Sequence, residues 1–164
     1  FTFCRYTLSA PFWADMSNAD LVRLFYLSTC MLYKRDTLYY SNGRQLTADS
    51  LPEVLQTSES TCRRFLAVME QQGYLQIEDG AVIMNTEYFA RQSIRYWISD
   101  DRSFIRVYHN AYRCLYRQLE NSMSSKYELY LSCIPCCTMR SRGFHSCRAG
   151  LLLVRHPHRT AQDE

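Results

Sequence analysis

Between Leu46 and Met84 the chain is punctuated so closely by helix caps and turn residues that one order of elements is expected: helix, short turn, helix, hairpin. Thr47 is placed to cap a short helix, Ala48 to Leu55, and Gln56-Thr57-Ser58 has room only for a tight turn. Ser58 then caps a longer helix, Glu59 to Gln72, which Gly73 stops. A Ser or Thr at an N-cap accepts an otherwise unpaired backbone N–H, and Gly enters the left-handed conformation that ends a helix. Tyr74 to Glu78 and Ala81 to Met84 are short strand-like runs joined by Asp79-Gly80, a strong signal for a hairpin. Pro52 falls early in the first helix and is tolerated best at its first position, so that helix is expected to begin near Leu51.

The second helix divides cleanly into two faces. Cys62, Phe65, Leu66 and Met69 recur at i, i+3, i+4 and i+7, which makes one apolar stripe for the core. Ser60, Thr61, Arg63, Arg64 and Ala67 remain on the open side, toward the N-terminal half. Arg can fork onto a guanine edge, and Ser or Thr can meet bases or phosphates, when such a half-helix enters a major groove. The plainer alternative is a solvated face with two ordinary arginines. The expected contact residues are Ser58, Ser60, Thr61, Arg63 and Arg64.

The segment Ser58 to Leu66, followed by Met69 to Leu75, resembles the recognition helix and first wing strand of winged-helix regulators of the MarR type. It resembles equally the winged-helix domain of plasmid and phage replication initiators. That second likeness extends upstream, where Asp20 to Leu27 enters a helix and Tyr39 to Arg44 with Leu46 is similar to the small hairpin before the helix pair. Downstream, Met84-Asn85-Thr86-Glu87-Tyr88-Phe89 resembles the Asn-Pro-Glu-aromatic segment that closes the initiator wing, with Thr86 in place of proline and Arg91-Gln92 where a glycine is usual. The likeness covers about residues 17 to 120. It implies sequence-specific binding to double-stranded DNA in replication or transcription control.

Charge neither forces nor forbids that reading. The net +3 arises after residue 120, since residues 1 to 120 hold thirteen Lys/Arg against thirteen Asp/Glu. Binding to phosphate wants a basic face, so the expectation rests on local placement. No run of eighteen or more apolar residues is present, so no membrane span is expected. The start, Phe1-Thr2-Phe3-Cys4, is unlike a secretory signal and has no initiating Met, which suits a fragment or processed chain. Eight cysteines without a signal sequence suggest a reducing cytoplasm.

Outside the motif, Ser17 to Tyr33 reads as a helix. Its Ser17-Asn18-Ala19-Asp20 start resembles a capping box, and Leu21, Leu24, Phe25, Leu27, Met31 and Leu32 give it an apolar face. Phe12 and Trp13 are expected to pack on its first turn, and Cys30 to be a small core residue. Asp36 to Leu46 suggests a hairpin with a type I′ turn at Asn42-Gly43. Phe104, Ile105, Tyr108, Tyr112, Leu115, Tyr116 and Leu119 repeat near helical spacing, which predicts a long helix over 101–121 whose stripe could pair with a second copy in a homodimer. His109 on that helix suggests a surface or packing residue.

The expected fold class is thus mainly α with a small β component: a winged helix-turn-helix, a long C-terminal helix and an irregular tail. Its divisions fall at residues 1–98, 99–121 and 122–164. In the tail, Cys133, Cys136, His145 and Cys147 offer zinc-type ligands, but a single residue between His145 and Cys147 is tight for tetrahedral zinc, and no metal or other cofactor is expected. No glycine-rich phosphate loop, His-Glu-x-x-His or Gly-x-Ser-x-Gly motif occurs, so an enzyme is not expected. The competing functions are a module that binds protein through the same surface and, behind it, a zinc-binding adaptor or enzyme.

Overall fold

Thr2 to Tyr6 form a strand, β1, whose two edges are filled by segments from the far side of the sequence. In the computed structural model, which describes residues 1–6, 13–93 and 103–119, β1 is the middle strand of an antiparallel sheet. One neighbour is β4 (Phe89–Ala90), with Phe3 opposite Ala90 and Cys4 opposite Phe89. The other is β5 (Ser103–Val107), paired along its whole length from Thr2–Val107 to Tyr6–Ser103. Alternation on the strands serves two buried faces. Cys4, Ile105 and Val107 join the main core, while Phe3, Ala90 and Phe104 form a second small cluster.

Helix α1 spans Asn18–Ser28, with the Ser17 hydroxyl accepting the Asp20 N–H at 3.1 Å. It stops well before Tyr33. Ser28 and Thr29 turn their hydroxyls back onto the carbonyls of Phe25 and Tyr26, both at 2.7 Å, and i→i+3 bonds tighten the end. A short 3₁₀ turn, Ala48–Ser50, leads into α2 (Leu51–Val54), and α3 follows at Glu59–Gln71. The α-helical part begins at Leu51, with Pro52 in its first turn, where a missing N–H costs nothing. Strands β2 (Leu75–Glu78) and β3 (Ala81–Met84) form the hairpin, closed by Asp79 (φ 50°) and Gly80 (φ 77°) as a type I′ turn requires.

Residues 36–38 and 46–48 together lie along the free edge of β3. Leu38 N–H donates to the Val82 carbonyl, Met84 N–H to Asp36, and Ala48 N–H to Gly80. The chain leaves this edge at Leu38 and returns at Leu46, whose N–H meets the Leu38 carbonyl at 2.9 Å. Residues 39–45 are therefore a small hairpin standing off the edge. Its turn differs from the expected type I′. Gly43 alone takes positive φ (82°), the Gly43 N–H bonds Tyr40 O, and Tyr40 N–H bonds Arg44 O. That is a three-residue loop with a glycine bulge, which asks only one residue to be left-handed.

The mainly α expectation is corrected. Among the described residues there are two small antiparallel sheets, with 40% helix and 24% strand, an α+β composition. The predicted helix over 101–121 is replaced by β5 and a shorter helix, α4 (His109–Leu119). Phe104 and Ile105, adjacent and both apolar, imitate a helical stripe because each face of the strand is buried, which hides the period of two. Pairing with β1 then outweighs local spacing. Nor does α4 present its aromatic stripe outward. Tyr112 and Tyr116 are each only 7% exposed and sit in the main core of their own chain. Tyr112 donates to the Val22 carbonyl (3.2 Å), and Tyr116, stacked on Tyr26 at 4.1 Å, donates to Leu55 O (2.8 Å).

Gly73 (φ 72°) follows the last turn of α3, where its N–H bonds Glu70 O and that of Tyr74 bonds Met69 O, a complete Schellman cap. Space beside it is open, so the cost of a larger residue is purely conformational. Gly73→Val should lower stability by about 1 kcal/mol or more in urea denaturation, and an unchanged midpoint would remove this cap from the account.

His109 sits at the start of α4, with Nε2 2.8 Å from Thr2 Oγ1; the Thr2 hydroxyl in turn reaches the Ser28 carbonyl (2.8 Å). Since the threonine proton is committed to Ser28, the imidazole Nε2–H is the donor. Burial, then the positive charges of the Phe1 amino group, Arg91 and Arg113, push its pKa down to about 3 from 6.5. The unfolded chain therefore binds a proton below pH 6.5 that the folded chain refuses. The contribution to stability is complete above that pH and is lost as the pH falls toward 3. His109→Gln, which keeps a donor for Thr2, should show a shallower loss of stability than the parent between these limits. Equal slopes would assign the acid sensitivity to other groups.

Candidate nucleic-acid interface

The sequence of α3 sets which side it can offer. Cys62, Phe65 and Met69 are 1% exposed or less and Leu66 is 8%, so the apolar stripe is fully used against the core. Ser58, Ser60, Arg63, Arg64 and Ala67 are exposed, and Thr61 is half-buried. The structure thus gathers all five expected contact residues on the cap and first two turns of one helix.

They are not equally available. Ser58 is held by the cap: its Oγ accepts the Thr61 N–H (3.3 Å) and donates to Thr61 Oγ1 (2.9 Å), with Ser60 Oγ at 3.2 Å. Arg63 Nη2 pairs with Glu59 Oε2 at 3.2 Å, but the two side chains are 81% and 76% exposed. A pair so solvated contributes little and gives way to a stronger anion. Arg64 makes no ion pair among the described residues. The open helix face therefore offers one uncommitted guanidinium, a second under weak restraint and a hydroxyl cluster.

Several contacts make this face rigid. At the front, Gln56 in the turn before α3 takes φ 50°, and the Thr57 N–H bonds Pro52 O (3.0 Å). Behind it, Tyr116 holds the Leu55 carbonyl of the same turn. At the back, Glu70 Oε1 accepts the Ile77 N–H (3.2 Å), tying the helix to β2. Asn85 closes the hairpin, its Nδ2 donating to Gly73 O (2.7 Å) and its N–H to Tyr74 O (2.9 Å), while its Oδ1 accepts from Glu87 N–H (2.9 Å). Asn85 stood out in the sequence through the wing-closing segment. Tyr116 and Glu70 did not, since a helical aromatic repeat reads alike whether it meets its own chain or another.

The hairpin tip is acidic. Glu78 and Asp79 are both exposed, and Gln76 Nε2 leans onto Glu78 Oε1 at 2.9 Å. An acidic tip repels phosphate, so the β2–β3 turn itself offers a nucleic acid no attraction. No group of His, Cys, Asp and Glu among the described residues is arranged to hold a metal. Cys133, Cys136, His145 and Cys147 lie outside the described residues. Cys4, Cys30 and Cys62 are buried, and burial raises the pKa of each thiol, as suits core cysteines. No helix among the described residues is long and apolar enough to cross a membrane.

Comparison with protein families, with curated proteins and with solved structures found no match to this chain.

The hydroxyl cap is the element most open to direct test. Ser58→Ala removes the acceptor for Thr61 N–H and should cost about 1 kcal/mol in chemical denaturation, with Ser58→Asp restoring most of it. A neutral Ser58→Ala would mean that the cap does not order the start of α3.

Proposed function

We propose that this protein is a cytoplasmic, sequence-specific binder of double-stranded DNA that reads its site with the N-terminal half of α3, in replication or transcription control, as its resemblance to winged-helix initiators and regulators implies. The observation that carries the reading is the division of α3: Phe65 and Met69 are locked in the core while Ser60, Arg63 and Arg64 stand exposed on the first turns. A helix held from behind and offering arginine at its N-terminal half is suited to forking onto guanine or bracketing phosphates in a major groove. The neutral charge balance of residues 1–120 gives little non-specific attraction, so discrimination rests on these few contacts.

The acidic Glu78–Asp79 tip, which repels phosphate, favours a second reading, in which the same helix face meets a protein partner. The two are separated by fluorescence anisotropy on duplexes selected from a random pool, across a salt series. Arg63→Ala with Arg64→Ala should leave the circular dichroism spectrum unchanged, because both side chains face solvent. Binding should weaken by about 1–3 kcal/mol for each arginine that reads a base, with specificity relaxed at that position. An arginine that meets phosphate should instead flatten the salt slope by about one unit. Undiminished binding by the double variant would hand the surface to the protein-partner reading.

A further inference from the structure

The stretch from Tyr33 to Arg44 plays no part in the α3 surface, yet it holds three exposed cations, Lys34, Arg35 and Arg44. Lys34 Nζ lies 5.7 Å from the Tyr33 ring centre, the Arg35 guanidinium 6.0 Å from Tyr39, and that of Arg44 4.8 Å from Tyr40. None of the three pairs with a carboxylate; the ion pairs among the described residues are Arg23–Asp20 and Arg63–Glu59. Other arginines are structural, Arg91 on the Met31 carbonyl and Arg113 on Thr29. Tyr33 is 59% exposed, more than Phe1 (49%) or Tyr108 (41%).

The backbone adds an independent observation. Lys34 takes φ 59°, held there by its N–H on Arg91 O (2.8 Å) and by the Arg35 N–H on Leu32 O (3.2 Å). Glycine adopts this conformation freely, whereas a residue with a Cβ resists it. A lysine at such a position keeps a cation beside an exposed ring at the expense of the fold.

We infer that the Tyr33–Arg44 stretch, where three exposed cations outweigh the exposed Asp36, is wrapped by single-stranded nucleic acid, its cations meeting phosphates on both faces of the 39–45 hairpin and beside it, and Tyr33 stacking on an unpaired base. Cations interleaved with aromatic rings suit a single strand, because its bases have free faces. In a duplex each base is already stacked, so an exposed tyrosine gains nothing there. This surface is distinct from α3 and does not depend on the reading proposed for it.

The test is anisotropy of the full chain with a short labelled oligothymidylate and with a duplex of mixed sequence. The parent should bind the single strand. Replacing Lys34, Arg35 and Arg44 together by Ala should flatten its salt slope by about two units, at roughly 0.7 per phosphate. Tyr33→Ala should weaken single-strand binding about five-fold or more and leave duplex binding unchanged. Lys34→Gly should weaken it with no fall in unfolding midpoint, a combination that a purely structural lysine would not produce. The Arg63, Arg64 double variant should bind oligothymidylate as the parent does, which keeps the two surfaces distinguishable. No binding of the single strand by the parent, an unaltered triple variant, an unaltered Tyr33→Ala variant, or a destabilised Lys34→Gly variant would each overturn the assignment.

Discussion

Everything else in the structure depends on β1 lying between β4 and β5. These two strands have no pairing with each other, so the sheet exists only because the first residues insert between segments far along the chain. The insertion is also chemically exacting. Thr2, fully buried, satisfies its hydroxyl by donating to the end of α1 at Ser28 and accepting from His109 at the start of α4. A buried hydroxyl without such partners would cost about 1–3 kcal/mol, so strand, helix end and imidazole stand or fall together. Once β5 is placed, α4 must follow across α1.

That placement reaches the α3 surface through one side chain. Tyr116, on α4, donates to the Leu55 carbonyl in the turn between α2 and α3 and stacks on Tyr26 of α1. The orientation of the exposed arginines is thus set by contacts on the opposite side of the helix, from the apolar stripe and from a tyrosine more than fifty residues later. Rigid support behind an open face is what a recognition surface needs, since a loosely held helix loses binding free energy to ordering. The same logic applies at the other end of α3, where Glu70 and Asn85 join the helix to the hairpin.

Charge is arranged more economically than bulk composition suggests. Half of the ten arginines of the described residues are spent internally: Arg91 and Arg113 on carbonyls, Arg5 and Arg106 against rings, and Arg23 in its pair with Asp20. The exposed cations of the described residues are Arg63 and Arg64 on α3, Lys34, Arg35 and Arg44 near the edge of the β2–β3 sheet, and Arg117 on α4. The exposed Glu78 and Asp79 at the hairpin tip add negative charge to the same layer of accessible side chains. On the proposed reading, nucleic acid would be held by local contacts at these groups and not by a general basic field.

Local rules in the sequence determined the segment Leu46 to Met84: the Ser58 cap, the α3 stripe, the Gly73 stop and the Asp79-Gly80 turn are all present, because each depends on neighbours within a few residues. The exposed side of α3 was legible for the same reason, as helical spacing alone separates Phe65 from Arg63 and Arg64. Tertiary structure decided the rest. Whether Phe104 to Val107 would be helix or strand turned on β1, about a hundred residues away, and a stretch buried on both faces carries no period to reveal it. Whether Tyr112 and Tyr116 would meet a partner or their own core was equally beyond local pattern, since burial depends on what lies opposite and a stripe records only that something must.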